Sequence, residues 1–158
     1  GITLGAAWKG FDFNVFIQGS QGNDVMNMTL LDFESGTGYM NAKSDYLSRA
    51  WNGEGSTDRY HRISAVQGDN LLVSDYFLED GSYARIKNVQ LGYCNCLIKK
   101  NKIISQCRLY VSAQNLFTFT NYSGLDPEIG SSNATVNGID SGFYPQARIW
   151  TIGLNLKF

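Results

Sequence analysis

Apolar and polar residues alternate along Arg148 to Phe158: Trp150, Ile152, Leu154, Leu156 and Phe158 share one parity, with Thr151, Gly153, Asn155 and Lys157 between them and Arg148 ahead. A period of two predicts a strand with one apolar face. The same pattern recurs in residues 2 to 9 (Ile2, Leu4, Ala6 and Trp8 on one face) and in Phe11 to Ser20 (Phe11, Phe13, Val15 and Ile17). Lys9-Gly10 reads as the tight turn between those two strands. A further strand starts near Ser82. Its parity changes midway, from Ala84 and Ile86 to Val89, Leu91 and Tyr93, so a β-bulge is expected near Lys87-Asn88. Gln106 to Thr120 alternates with Leu109, Val111, Ala113, Phe117 and Phe119 in phase, interrupted at Asn115.

Between these strands the connections are unequal. Lys9-Gly10 is short and the turn from Asn95 to Ser105 modest, whereas residues 21 to 75 and 121 to 145 lose the alternation and fill with Gly, Asn, Asp and Ser. The first is ~55 residues long, well beyond an ordinary connection, and segments from Asp24 to Leu31 and from Tyr46 to Trp51 have room for a helical turn or two. In a run of antiparallel strands the long connections then fall at one end and the short ones at the other. That is the plan of a transmembrane β-barrel with short periplasmic turns and long extracellular loops. On this plan Trp150, Ile152, Leu154, Leu156 and Phe158 face lipid, and Arg85, Gln114 and Arg148 face the lumen. Aromatics fall near both ends of the strands, as a barrel's two girdles require. At ~2.4 Å of height per tilted residue, Trp150 and Phe158 stand ~19 Å apart along the membrane normal.

Composition narrows the function classes. The chain has 158 residues, 43% of them hydrophobic and 13% aromatic, with 17 Gly and 2 Pro. Its formal net charge of -1 and lack of a basic stripe argue against nucleic acid. No run approaches the ~18 apolar residues of a membrane helix. Cys94, Cys96 and Cys107 have no metal-binding spacing, and the single histidine, His61, lies far off in sequence, so neither a metal nor a cofactor is expected. Cys94 and Cys107 flank the Asn95 to Ser105 turn, where a disulfide is one reading in an oxidising compartment and free thiols the preferred one. A catalytic triad around His61 has no distinctive partners, so no enzyme is expected. Asp126-Pro127-Glu128 reads as a turn, since the EF-hand calcium pattern is absent. In the long loops, Trp51, Tyr60, Tyr122 and Tyr144 are candidates to contact a substrate or a partner.

Three runs carry a family resemblance: S-D-Y-F-L-E-D-G-S-Y-A-R-I-K-N-V-Q-L-G-Y (74 to 93), R-L-Y-V-S-A-Q-N-L-F-T-F-T-N-Y-S-G-L-D-P-E (108 to 128) and the closing G-L-N-L-K-F. In this order they resemble the C-terminal part of the SusC/RagA family of TonB-dependent outer-membrane transporters. K-G-F-D-F-N-V-F-I-Q-G-S-Q-G-N-D (9 to 24) resembles the family's preceding hairpin. The resemblance implies an all-β fold: five antiparallel strands of a transmembrane barrel of about 22 strands whose plug and other strands lie outside residues 1 to 158. It also implies active import of large nutrients, oligosaccharides or peptides, with a SusD-like surface lipoprotein over the extracellular loops and TonB supplying the energy. On this expectation Gly1 is a cut through a longer protein, and Phe158 ends the strand that closes the barrel from the periplasmic side. The competing reading is a soluble β-sandwich that binds carbohydrate, which accounts for the alternation but not for the one-sided loops.

Overall fold

The computed structural model describes residues 1–34, 41–57, 59–63, 72–95, 104, 106–130 and 136–158. The chain is all-β with a few short helices and divides into two compact units, one of Gly1–Gln21, Ser82–Asn121 and Pro145–Phe158, the other of Gly22–Gly81 and Tyr122–Tyr144. The element order is β1 (Ile2–Trp8), β2 (Phe11–Ser20), β3 (Asp24–Asn27), α1 (Thr29–Glu34), α2 (Tyr46–Arg49), a 3-10 turn (Asp75–Phe77), β4 (Leu78–Asp80), β5 (Tyr83–Asn95), β6 (Gln106–Thr120), β7 (Ile139–Asp140) and β8 (Ile149–Lys157).

The first unit is one open antiparallel sheet in the order β1-β2-β5-β6-β8. Trp8 pairs with Phe11, leaving Lys9 (φ 47°) and Gly10 (φ 88°) as a two-residue turn with both residues at positive φ. That mirror-image turn matches the twist of the flanking strands. Glycine is needed at position 10 for a second reason: a Cβ there would lie 2.8 Å from the Cys94 carbonyl oxygen. The predicted bulge is present. Phe16 pairs with Asn88 and Ile17 with Ile86, so Lys87 is the extra residue on β5. On the other side the pairing jumps from Ile86–Phe117 to Asn88–Gln114, and Asn115 adopts a left-handed φ of 51°. Asparagine tolerates that conformation better than most residues. Its side-chain Nδ2 donates to the Ala147 carbonyl at 2.9 Å.

Directly paired residues share a face, so the register assembles one apolar surface across the sheet. Ala6, Phe13, Leu91, Val111 and Ile152 form one row across all the strands, and Leu4, Val15, Val89, Ala113 and Trp150 another. Trp8, Phe11, Tyr93, Leu109 and Leu154 form the row beside the short turn. Phe117 and Phe119 stack near the far end at 4.7 Å. Trp150 sits opposite Ala113, inside the sheet rather than at that far end. Ser20 pairs with Tyr83 and Tyr83 with Thr120, so both long connections attach at one end of the sheet, opposite the Lys9-Gly10 turn.

The second unit is built by those two long connections. β3 pairs antiparallel with β4 and parallel with β7, giving a small sheet in the order β4-β3-β7. Among the described residues, Val25, Leu30, Tyr46, Ala50, Tyr60, Phe77 and Tyr122 are its buried apolar residues. The segment from Asp24 to Leu31, with room for a helical turn or two, is divided: Asp24–Asn27 is a strand and the helix begins at Thr29. The strand wins because Asp24, Val25 and Met26 find partners in Asp80, Glu79 and Leu78, far along the chain. The helical turn expected over Tyr46 to Trp51 is present as α2. Cys96 and the turn lysines Lys99, Lys100 and Lys102 lie outside the described residues.

Candidate functional site

The polar face of the sheet carries a hydrogen-bonded ladder. Arg85 is 2% exposed and its Nε donates to Thr118 Oγ1 at 2.8 Å. Gln114 pairs with Asn88 on the same face. Closer to the short turn, Arg108 on β6 reaches across β5 to Asp12 on β2, with Nε donating to Oδ1 at 2.9 Å and Nη2 to Oδ2 at 2.5 Å. The crossing strand carries Gly92 at that point, where a Cβ would lie 2.5 Å from both Asp12 and Arg108. Tyr110 lies over Gly153 in the same manner, since a Cβ there would be 2.2 Å from the ring. Two glycines therefore let long polar side chains lie flat along the wall. Arg148 is not part of this ladder: it precedes β8 and carries the parity of Trp150, so strand alternation does not put it with Arg85 and Gln114.

On the other face, Trp150 is 67% exposed and Ile152 77%, with Leu154, Leu156 and Phe158 also exposed. Ile2, Leu4, Trp8, Phe11, Phe13, Leu91 and Leu109 are exposed too, and the one buried apolar residue of the sheet among those described is Ala113. A contiguous apolar surface of this kind marks contact with a membrane or another protein. Cys94 pairs with Arg108 and Cys107 with Leu156, which puts the two thiols on opposite faces. Both are free, and no bond between them forms across the hairpin.

The loop candidates separate by burial. Tyr60 (4% exposed) and Tyr122 (6%) are packing residues. Tyr60 donates its hydroxyl to Asp45 at 2.9 Å, and Tyr122 donates to Asp140 at 2.7 Å. Asp140 in turn accepts the N–H groups of Gly142 and Phe143, so Tyr122 pins the second long connection to its own far end. Trp51 and Tyr144 present surface, Tyr144 at 89% exposure. The Arg62 guanidinium lies 5.9 Å from the Trp51 ring. Asp126 accepts from the Glu128 N–H at 2.9 Å, the turn expected of Asp-Pro-Glu.

The second unit also holds a cavity of about 210 Å³ lined by Leu30, Glu34, Lys43, Arg59, Tyr76, Glu79 and Ser123. Glu34 is buried, ion-paired with Lys43, and accepts the Tyr76 hydroxyl at 2.6 Å. Glu79 accepts Asn27 Nδ2 and Ser123 Oγ on one oxygen and the Ser123 N–H on the other. His61 stacks on Tyr76 with ring centres 4.3 Å apart. Burial and the bond to Glu34 push the Tyr76 phenol well above its ordinary range, and burial with the bond to Asp140 does the same to Tyr122. The Tyr60 hydroxyl holds the Asp45 carboxyl below its ordinary value. Nothing in the sequence singles out this cluster, because its members come from positions 30 to 123 with no shared spacing. Among the described residues no group of three or more His, Cys, Asp or Glu is placed to hold a metal ion.

No family model matches the sequence. TonB-dependent receptor P3 of Formosa agariphila is 39% identical over 166 aligned residues, covering 100% of this chain and 16% of the receptor. TonB-dependent receptor SusC of Bacteroides thetaiotaomicron is 31% identical, covering 100% of this chain and 15% of the receptor. Among solved structures, the RagAB peptide importer in its open-open state superimposes with a TM-score of 0.82 at 28% identity, over 99% of this chain and 16% of that one. The chain belongs to the SusC/RagA type of TonB-dependent transporter. The proteins it resembles are receptors and transporters rather than enzymes. It spans about a sixth of the length of these relatives, and the sheet of this SusC/RagA-type chain is an open segment of barrel wall, not a closed barrel.

Proposed function

We propose that this chain is the C-terminal stretch of wall and the attached outer loops of an outer-membrane importer that takes up large nutrients, oligosaccharides or peptides. In this reading Trp150, Ile152, Leu154, Leu156 and Phe158 touch lipid, while Arg85 and Gln114 line an aqueous lumen. The long connections face outward, where Trp51 and Tyr144 are placed to meet cargo or a SusD-like surface lipoprotein, and the chain ends on the periplasmic side. TonB acts through parts of the transporter outside this chain. No covalent chemistry is required of any residue here.

The observation that carries the reading is the sheet's uncovered apolar face combined with its open edges. Among the described residues β1 and β8 each pair on one side only, and lipid-exposed strands cannot leave backbone groups unpaired, because no water is present to satisfy them. Further strands, supplied by the rest of the barrel, meet that demand. A soluble sandwich is disfavoured on the same ground: in water it would cover Ile152 and Trp150 with a second sheet, and these are the exposed residues. The test is uptake by cells carrying the intact transporter, with the gene for a SusD-like lipoprotein present or deleted. Import that requires both the lipoprotein and TonB supports the reading. A full-length product that is monomeric and soluble without detergent overturns it.

A further inference from the structure

β6 is longer than a membrane crossing. It runs 15 residues, Gln106–Thr120, against 9 in β8 and 10 in β2. A tilted strand needs about 9–11 residues to cross a bilayer. At ~2.4 Å of height per residue β6 reaches ~34 Å, whereas a barrel's apolar band is about 25 Å tall, so part of β6 stands outside the hydrocarbon. The pairing with β8 identifies that part. At the sheet end that carries the Lys9-Gly10 turn the two strands finish together, Gln106 beside Lys157. At the other end their last pair is Gln114 with Ile149, and among the described residues Phe117, Thr118 and Phe119 pair with β5 alone. Hydrocarbon offers no partner to such a bare strand edge. The acyl chains at this seam therefore stop at the Gln114–Ile149 pair.

Other features mark the same height. β5 bulges there at Lys87 and β6 at Asn115, and bulges gather at the rims of barrels, where they end pairing. Asn115 Nδ2 donates to the Ala147 carbonyl, so a side chain takes the place of a strand partner. Pro145, just before, has no N–H with which to extend the ladder. The heights agree as well: Ile149 and Phe158 stand ~22 Å apart, which nearly fills the band of about 25 Å. Trp150, inside the sheet, thereby becomes a rim residue, since it adjoins Ile149. Phe117 and Phe119 lie ~7 and ~12 Å beyond Gln114. They pair with Ile86 and Ala84, are exposed, and stack on one another. Ile86 also pairs with Ile17, on the face of Phe13 and Val15, so this aromatic pair continues the lipid-side surface outward. Aromatic residues suit the level at which a barrel meets the headgroups.

We propose that the wall leaves the hydrocarbon at the Gln114–Ile149 pair, and that Phe117 and Phe119 form a contact surface for the lipid headgroups of the outer leaflet. The inference rests on the membrane-wall reading and adds to it the height of the boundary. The test places single cysteines at positions 109, 111, 117 and 119, all exposed on the lipid-side face, in the intact transporter lacking Cys94, Cys96 and Cys107. Each carries a nitroxide, and electron paramagnetic resonance in bilayers reads its collisions with oxygen, with a water-soluble nickel chelate and with nickel held on a lipid headgroup. Labels at 109 and 111 should favour oxygen. Those at 117 and 119 should favour nickel, and headgroup-borne nickel should relax them several-fold more than it relaxes 109 and 111. Oxygen favoured equally at all these positions means that hydrocarbon continues past the seam, and it overturns this inference while leaving the wall standing. Labels at 117 and 119 that headgroup-borne nickel does not reach overturn the headgroup contact. Water at 109 and 111 as well would sink the wall reading together with this one.

Discussion

Replacing Ile152 by arginine separates a lipid-facing wall from a water-facing one by magnitude alone. Ile152 is 77% exposed within the chain and lies in the row of Val111, Leu91, Phe13 and Ala6. If that face met water, the substitution would remove no packing and would change stability by about 0.5 kcal/mol or less, as exposed substitutions do. If it meets hydrocarbon, the guanidinium is placed near the middle of the bilayer at a cost of ~2–4 kcal/mol. The cost should depend on depth along β8: large for Ile152→Arg and Leu154→Arg, and about 0–1 kcal/mol for Phe158→Arg at the strand's end. Thr151→Arg and Asn155→Arg, on the opposite face, should stay within about 0.5 kcal/mol. The assay is denaturant unfolding of the intact transporter in liposomes, read by the heat-modifiable band shift of folded barrels. A flat profile along the even positions, or equal costs on both faces, refutes the assignment of faces.

Other outcomes follow from the same structure. Gly92→Val should separate Asp12 from Arg108 and lower the melting temperature, with much less effect in an Asp12→Ala background, because the displaced ion pair is then already gone. Tyr122→Phe leaves the buried Asp140 carboxylate one donor short and should cost about 1–3 kcal/mol, with faster amide exchange over residues 122–130 and 136–144. The phenols of Tyr76 and Tyr122 are raised from 10.0 in the fold, so their contribution is complete below pH 10 and is lost as pH climbs above it. Asp45, lowered from 3.8, acts in the opposite direction: its contribution holds above pH 3.8 and disappears as pH falls through its lowered value. A pH titration of loop-unit protection by hydrogen exchange, comparing Tyr60→Phe with the parent, checks the acid limb, which the variant should flatten.

The wall was legible because a half-exposed strand prints its two faces directly into the sequence. Ile2 to Trp8, Phe11 to Ile17 and Trp150 to Leu156 each announce a face, and the phase change between Ile86 and Val89 places the bulge near Lys87-Asn88, where the structure puts it at Lys87. What periodicity does not carry is which face is covered, since the alternation of a sandwich and of a membrane barrel is the same. The loop unit was far less legible. β3, β4 and β7 are too short to show any alternation, and each exists through a partner far along the chain, such as Met26 beside both Leu78 and Ile139. The same distance hid the roles of Tyr60 and Tyr122. Both are aromatic residues in a long loop, the usual mark of a contact residue, yet Asp45 and Asp140 turn their hydroxyls inward. Arg148 misled for a local reason: its charge suggests a lumen wall, but it precedes the paired strand, in the parity of Trp150.

The central claim, that the sheet of residues 1–20, 83–95, 106–120 and 149–157 is one stretch of membrane wall, is tested most directly by scanning β8 for contact with lipid. Single cysteines at positions 150 to 156, in a background lacking Cys94, Cys96 and Cys107, would carry an environment-sensitive fluorophore in the intact transporter reconstituted into bilayers. Lipids brominated on their chains should quench labels at 150, 152, 154 and 156, and a water-soluble quencher should reach those at 151, 153 and 155, a period of two matching the register with β6. Quenching by lipid at neither parity, or at both alike, would contradict the account.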